Sequence, residues 1–121
     1  MTTTKTLQES DLRQFTGTEH WYRHPLARKV LYTDGVKHVA EQGGAYWLLD
    51  TIAFAQAIPA VAAEPFQFWI LTVRSDHTAT LTCEDGNSKT VHTQDIPFTD
   101  FPLAEIKFYY TDNTLLLPSE Y

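Results

Sequence analysis

The 121-residue chain carries nine basic and fifteen acidic side chains, a formal charge of −6. That balance lacks the broad basic surface a phosphate backbone needs, so no direct nucleic-acid partner is expected. Hydrophobic residues at 43% and charged residues at 20% are values of a folded chain rather than a disordered one, and the length suits one domain, 1–121, around one core.

Cys83 is the sole cysteine, which excludes an intramolecular disulfide and a thiolate-only zinc site within one chain. The opening MTTTKTLQESDLRQF has no apolar stretch of the signal-peptide kind, so a cytoplasmic location is expected. The most apolar run, Ala45–Ile58, falls short of the roughly 20 residues a spanning helix needs, and no membrane partner is expected.

Residues 1–5 are polar and are expected to fray. Thr6-Leu7-Gln8-Glu9 has the form of a capping box; Leu12 and Phe15 follow at helical spacing, and Gly17 can close this short helix in a left-handed conformation. Pro25 disfavours helix at His24, so the segment that follows reads as irregular, with a short extended piece around Lys29–Tyr32. Thr33-Asp34-Gly35 fits either a hairpin turn or a helix start. Val36, Val39 and Ala40 at i, i+3, i+4 favour a helix capped by Thr33 or Asp34 and stopped by Gly43.

Ala45–Ile58 then predicts a helix apolar on most of its circumference, and hence buried on most of it. The Ala-rich stretch after Pro59 is a connection or a further helical turn.

From Phe66 the period becomes two. FQFWILTV is apolar on both faces, the mark of a strand covered on both sides. A turn at Arg74–His77 precedes an alternating strand, Ala79–Glu84, with Leu81 and Cys83 on one face. Asp85-Gly86-Asn87-Ser88 is a turn that allows two registers. The preferred one faces Cys83 with Val91 and Asp85 with Lys89; the alternative faces Cys83 with Thr90 and Glu84 with Lys89. A more polar strand, 89–95, comes next. After the loop IPFTDFP, 106–121 reads as a hairpin about Asp112-Asn113, facing Tyr110 with Leu115, Phe108 with Leu117 and Ile106 with Ser119. Pro118 marks that last strand as an edge, or its end.

The expectation is an α+β fold. Residues 6–65 are mainly helical and pack on one face of an antiparallel sheet of about five strands, built from hairpins over 66–121.

Glu19-His20-Trp21-Tyr22-Arg23-His24 is the densest polar and aromatic cluster. On a helix, His20 and His24 could hold a metal with one more carboxylate, but Pro25 opposes that helix, and neither a metal nor another cofactor is expected. Asp50 is the one carboxylate within the central apolar run; if buried it needs a partner such as Arg23, Arg28, a histidine or a tryptophan N–H. Cys83 reads as a small buried hydrophobe. No nucleophile elbow, P-loop or dinucleotide fingerprint is present, and no catalytic residue is assigned. If one sheet face packs on the helices, residues such as Trp69, Leu71, Tyr109 and Leu116 are left on the other as a partner surface.

The segments DLRQFTGTEHWYRHPL, LYTDGVKHVAEQGGAYWLLDTIA, LTCEDGN, IPFTDFPL and LLLPSEY together resemble one family of small bacterial proteins, the 6876 domain of unknown function. The resemblance implies a bacterial accessory gene, of the kind carried on plasmids and phages, and brings no activity or site residue with it. The leading expectation is therefore a non-enzymatic module that binds itself or another protein through an aromatic sheet face. The alternatives are a metal-binding protein or enzyme built on His20, His24 and Asp50, and an acidic inhibitor of a nucleic-acid-binding enzyme from a mobile element.

Overall fold

A computed structural model describes residues 7–121. Four helices and seven strands run in the order α1 (Glu9–Leu12), β1 (Trp21–Arg23), β2 (Leu31–Thr33), α2 (Asp34–Gln42), α3 (Tyr46–Ala55), α4 (Pro59–Ala62), β3 (Phe66–Val73), β4 (Ala79–Glu84), β5 (Thr90–Ile96), β6 (Glu105–Thr111) and β7 (Thr114–Leu116), with a final 3₁₀ turn at Pro118–Glu120. The fold is α+β.

The sheet is larger than the sequence suggests and is mixed. Its strand order is β1-β2-β7-β6-β3-β4-β5. The C-terminal hairpin inserts between β3 and β2, and β7 lies parallel to β2 with Leu31 beside Thr114 and Tyr32 beside Leu115. The expected five antiparallel strands are thus corrected to seven. The two extra strands are the three-residue β1 and β2, one inside the stretch read as irregular and one overlapping its extended piece. Pro118 ends β7 rather than marking an edge, since β7 has neighbours on both sides.

The strong local signals correspond to real elements. β3 and β4 span the expected residues. Thr33 caps α2, its hydroxyl accepting from Val36 N–H at 3.4 Å. Helix α2 stops at Gly43, but the left-handed residue is Gly44, at φ 60°. The capping box proposed for Thr6 lies outside the described residues. Helix α1 starts instead from Gln8, whose N–H donates to the Asp11 carboxylate at 3.0 Å, and it has closed by Arg13, before Gly17 is reached.

In the β6–β7 hairpin, Asp112 and Asn113 both take positive φ, 51° and 58°, and Tyr110 faces Leu115 as expected. The ladder stops at Leu116, so the expected Phe108–Leu117 and Ile106–Ser119 pairs do not form. The β4–β5 turn keeps the preferred register where it closes, with Asp85 N–H bonded to the Lys89 carbonyl at 2.8 Å. A shift between Cys83 and Glu84 then places His92, not Val91, opposite Cys83. The shift lets both residues lean inward: the His92 ring lies 6.1 Å from Trp69, and Val91 packs against the core.

The core sits on one side of the sheet. Trp69, Leu71, Leu81, Cys83, Ile106, Phe108, Tyr110 and Leu115 point into it and meet Val36, Val39, Leu48, Leu49, Ile52 and Val61 from the helices. Helix α3 is less enclosed than expected. Leu48, Leu49, Ile52, Ala53 and Ala55 are buried, whereas Tyr46 and Phe54 are about half exposed, at 45% and 49%.

Candidate functional site

Side-chain period two carries the alternate residues of each strand to the far side of the sheet. There β3 presents Phe66, Phe68 and Ile70, β6 presents Tyr109, and β7 presents Leu116. None of the β3, β4 or β6 residues on this side is buried. The aromatic rings gather. Tyr109 lies 5.1 Å from Phe66, 5.3 Å from Phe68 and 5.2 Å from Tyr121 between centroids. Trp21 on β1 is 58% exposed, and Tyr121 is 72% exposed. Arg23, Lys107, Glu84 and Glu105 on the same side bring both signs of charge, with Lys107 and Glu105 paired at 3.4 Å.

Of the residues singled out from the sequence, Tyr109 and Trp21 lie on this open face. Trp69 does not: it is fully buried on the helix side, and its indole N–H donates to the Gln67 amide oxygen at 2.9 Å. Gln67 accounts for the reversal. Its amide is reciprocally bonded to Gln56, at 2.8 Å in each direction, and also donates to the Val61 carbonyl at 2.9 Å. A polar residue so satisfied can enter the core, taking the Trp69 side of β3 inward with it.

The histidines separate. His24 is buried and holds the 24–30 loop. Its Nδ1 accepts from the N–H groups of Leu26 and Ala27, at 3.1 and 2.9 Å, so the proton is on Nε2, which donates to Asp50 Oδ1 at 2.7 Å. A histidine is one of the four partners open to a buried Asp50; the Asp50 side chain takes this bond while 49% exposed. With Nδ1 filled by backbone donors and Nε2 by a carboxylate, the ring anchors a loop to α3; its edge-on contact with Phe54, 5.4 Å between centroids, does the same.

His20 belongs to a different group centred on Asp34. It is exposed, and its Nδ1 lies 3.6 Å from the Asp34 carboxylate. Asp34 also accepts from the Tyr22 hydroxyl at 2.9 Å and from the N–H groups of Glu19 and His20 at 3.1 and 3.3 Å. Burial works to raise the Asp34 pKa, but the bonds from Tyr22, Glu19, Thr18 and His20 outweigh it and hold the carboxyl below the usual carboxylate range. The same contact, with burial, raises the Tyr22 phenol. Tyr22 stacks on Tyr32 at 5.5 Å, with the Lys37 ammonium 4.4 Å from its ring centre. Among the described residues no three His, Cys, Asp or Glu side chains are grouped to hold a metal ion. Burial pushes the Cys83 thiol up to about 12, so little thiolate exists near neutral pH.

Two further groups gave no signal in the sequence. Glu120 closes the start of α2: its carboxylate accepts from the Thr33 hydroxyl at 2.7 Å, Leu117 N–H at 2.9 Å and Gly35 N–H at 3.1 Å. A Cβ at Gly35 would sit 2.5 Å from Glu120 Oε1, so only glycine admits that approach. The other is Tyr110, whose surroundings form a separate cleft.

The domain is α+β, with its helices on one sheet face and an aromatic, mixed-charge second face. The chain belongs to the family of unknown function DUF6876, whose model matches residues 6–121. No curated protein and no solved structure matches it. Among the described residues no helix is long and apolar enough to cross a membrane.

Proposed function

We propose that this protein is a non-enzymatic binding module that self-associates through the open sheet face. The observation that carries the reading is the Phe66–Phe68–Tyr109–Tyr121 cluster on a side where no residue of β3, β4 or β6 is fully buried. Aromatic residues dominate interface energetics, and a two-fold dimer needs a self-complementary patch. The neighbouring Arg23 and Lys107, with Glu84 and Glu105, provide both signs within one surface. Strand spacing of about 4.8 Å and rise of about 3.3 Å give the face a footprint on the order of 600 Å², near the ~800 Å² per partner of a stable dimer.

Sedimentation velocity tests the reading. The expected result is a dimer at micromolar concentration that Tyr109→Ser and Phe68→Ser convert to folded monomer. A monomer at every concentration to about 100 μM would overturn it.

A further inference from the structure

A cleft of about 420 Å³ opens on the other side of the sheet, where the β6–β7 turn, the start of β2, the end of α3 and the α4–β3 connection meet. Its volume lies within the range of small-molecule sites. Its lining includes the buried Tyr110 and Gln67, the half-buried Gln56 and Glu64, and the exposed Lys29 and Asp112.

Tyr110 is the informative member. It is 6% exposed, and its hydroxyl has no hydrogen-bond partner among the described residues. Buried polar groups are almost always paired, and leaving one unpaired is costly. Gln67 beside it, 1% exposed, follows that rule with every amide group engaged. The Tyr110 oxygen is not sealed either. Among the described residues the one fully enclosed side-chain atom without a hydrogen bond is His38 Nε2, which lies 3.8 Å from the Asp11 carboxylate. The phenol oxygen therefore keeps some contact with solvent, and Tyr110 is among the residues lining the cleft. Burial raises the Tyr110 pKa, so near neutral pH the group is a phenol able to donate or accept.

The charged lining residues set the charge of what could enter. Among the described residues Lys29 forms no ion pair, and neither do Glu64 and Asp112. One cation and two carboxylates lining one cleft, none in an ion pair among the described residues, suit a molecule carrying both signs; a ligand of single sign would meet like charge on one side.

We propose that this cleft binds a small zwitterion of free amino-acid size. Its carboxylate pairs with Lys29, its ammonium with Glu64 or Asp112, and a polar group reaches the Tyr110 hydroxyl. This site lies across the sheet from the aromatic face and does not depend on self-association.

Isothermal titration calorimetry of the intact protein tests it, with the twenty proteinogenic L-amino acids offered singly and succinate and putrescine as single-sign controls. At least one amino acid should bind saturably with Kd of about 1 mM or tighter. Tyr110→Phe, which keeps the ring in the core and removes only the oxygen, should weaken that binding about tenfold, and Lys29→Met should weaken it comparably, with circular dichroism unchanged. No saturable binding of any amino acid would overturn the proposal. So would equal binding of succinate or putrescine, or unchanged affinity in Tyr110→Phe.

Discussion

The two faces of the sheet are built from the same few strands and use aromatic residues differently. On the helix side Trp69 is enclosed, and its one polar atom is bonded. On the open side Phe66, Phe68 and Tyr109 are half-buried by one another and by Tyr121. The difference teaches that ring content alone does not make a core. What decides is whether the polar residues sharing a face can be satisfied there, as Gln67 is by Gln56, Val61 and Trp69.

That contrast can be broken by mutation. Trp69→Ala should cost the most, about 3–5 kcal/mol in chemical denaturation, from the cavity it leaves. Phe68→Ser, two strand faces away in character though adjacent in sequence, should cost no more than about 1.5 kcal/mol while abolishing dimer formation by sedimentation. Equal destabilisation by the two would show that the open face is a second core. Gly35→Ala drives a methyl into Glu120 and should cost about 1–3 kcal/mol. The pairing of His24 and Asp50 sharpens the helix side. Asp50→Leu leaves the Nε2 proton unaccepted and should cost about 1–3 kcal/mol, whereas Asp50→Asn retains an acceptor and should stay within about 0.5 kcal/mol.

The smallest effect is confined to acid. The Asp34 carboxyl is held below its unfolded value, so its contribution is complete above the unfolded pKa and is lost as pH falls through the folded one. Below about pH 4, Asp34→Asn should therefore flatten the decline of stability with falling pH, measured by urea titration. A variant that declined as steeply as the parent would remove Asp34 from that role.

Legibility in the sequence followed distance along the chain. β3, β4, the Asp112-Asn113 turn and the Thr33 cap are each specified by neighbours a few residues apart, and each was legible. β1 and β2 have three residues each, too short for period two to register, and β2 is stabilised by a partner from the far end of the chain. FQFWILTV is apolar on both sides, so its pattern could not say which side faces the helices; the answer lay in Gln56 and Gln67, whose bonds cross eleven positions. Asp50 stood out as the one carboxylate in the central apolar run, but its half-exposed position and its bond to His24 depended on loop geometry 26 residues away. The Tyr110 cleft left no trace, because its lining comes from four separate segments.

The Glu120 contacts bear on how the molecule is made. The first turn of α2 donates a hydrogen bond from Gly35 N–H to a side chain 85 positions later, and β2 lies beside a strand that includes Thr114. During synthesis the early strands β1 and β2 have no neighbour in the sheet beyond each other until the chain has grown as far as β7, and α2, though capped locally by Thr33, lacks a partner for Gly35 N–H until Glu120 emerges. Assembly of this half of the protein is therefore a late event, governed by closure of a long loop rather than by the order in which its parts leave the ribosome.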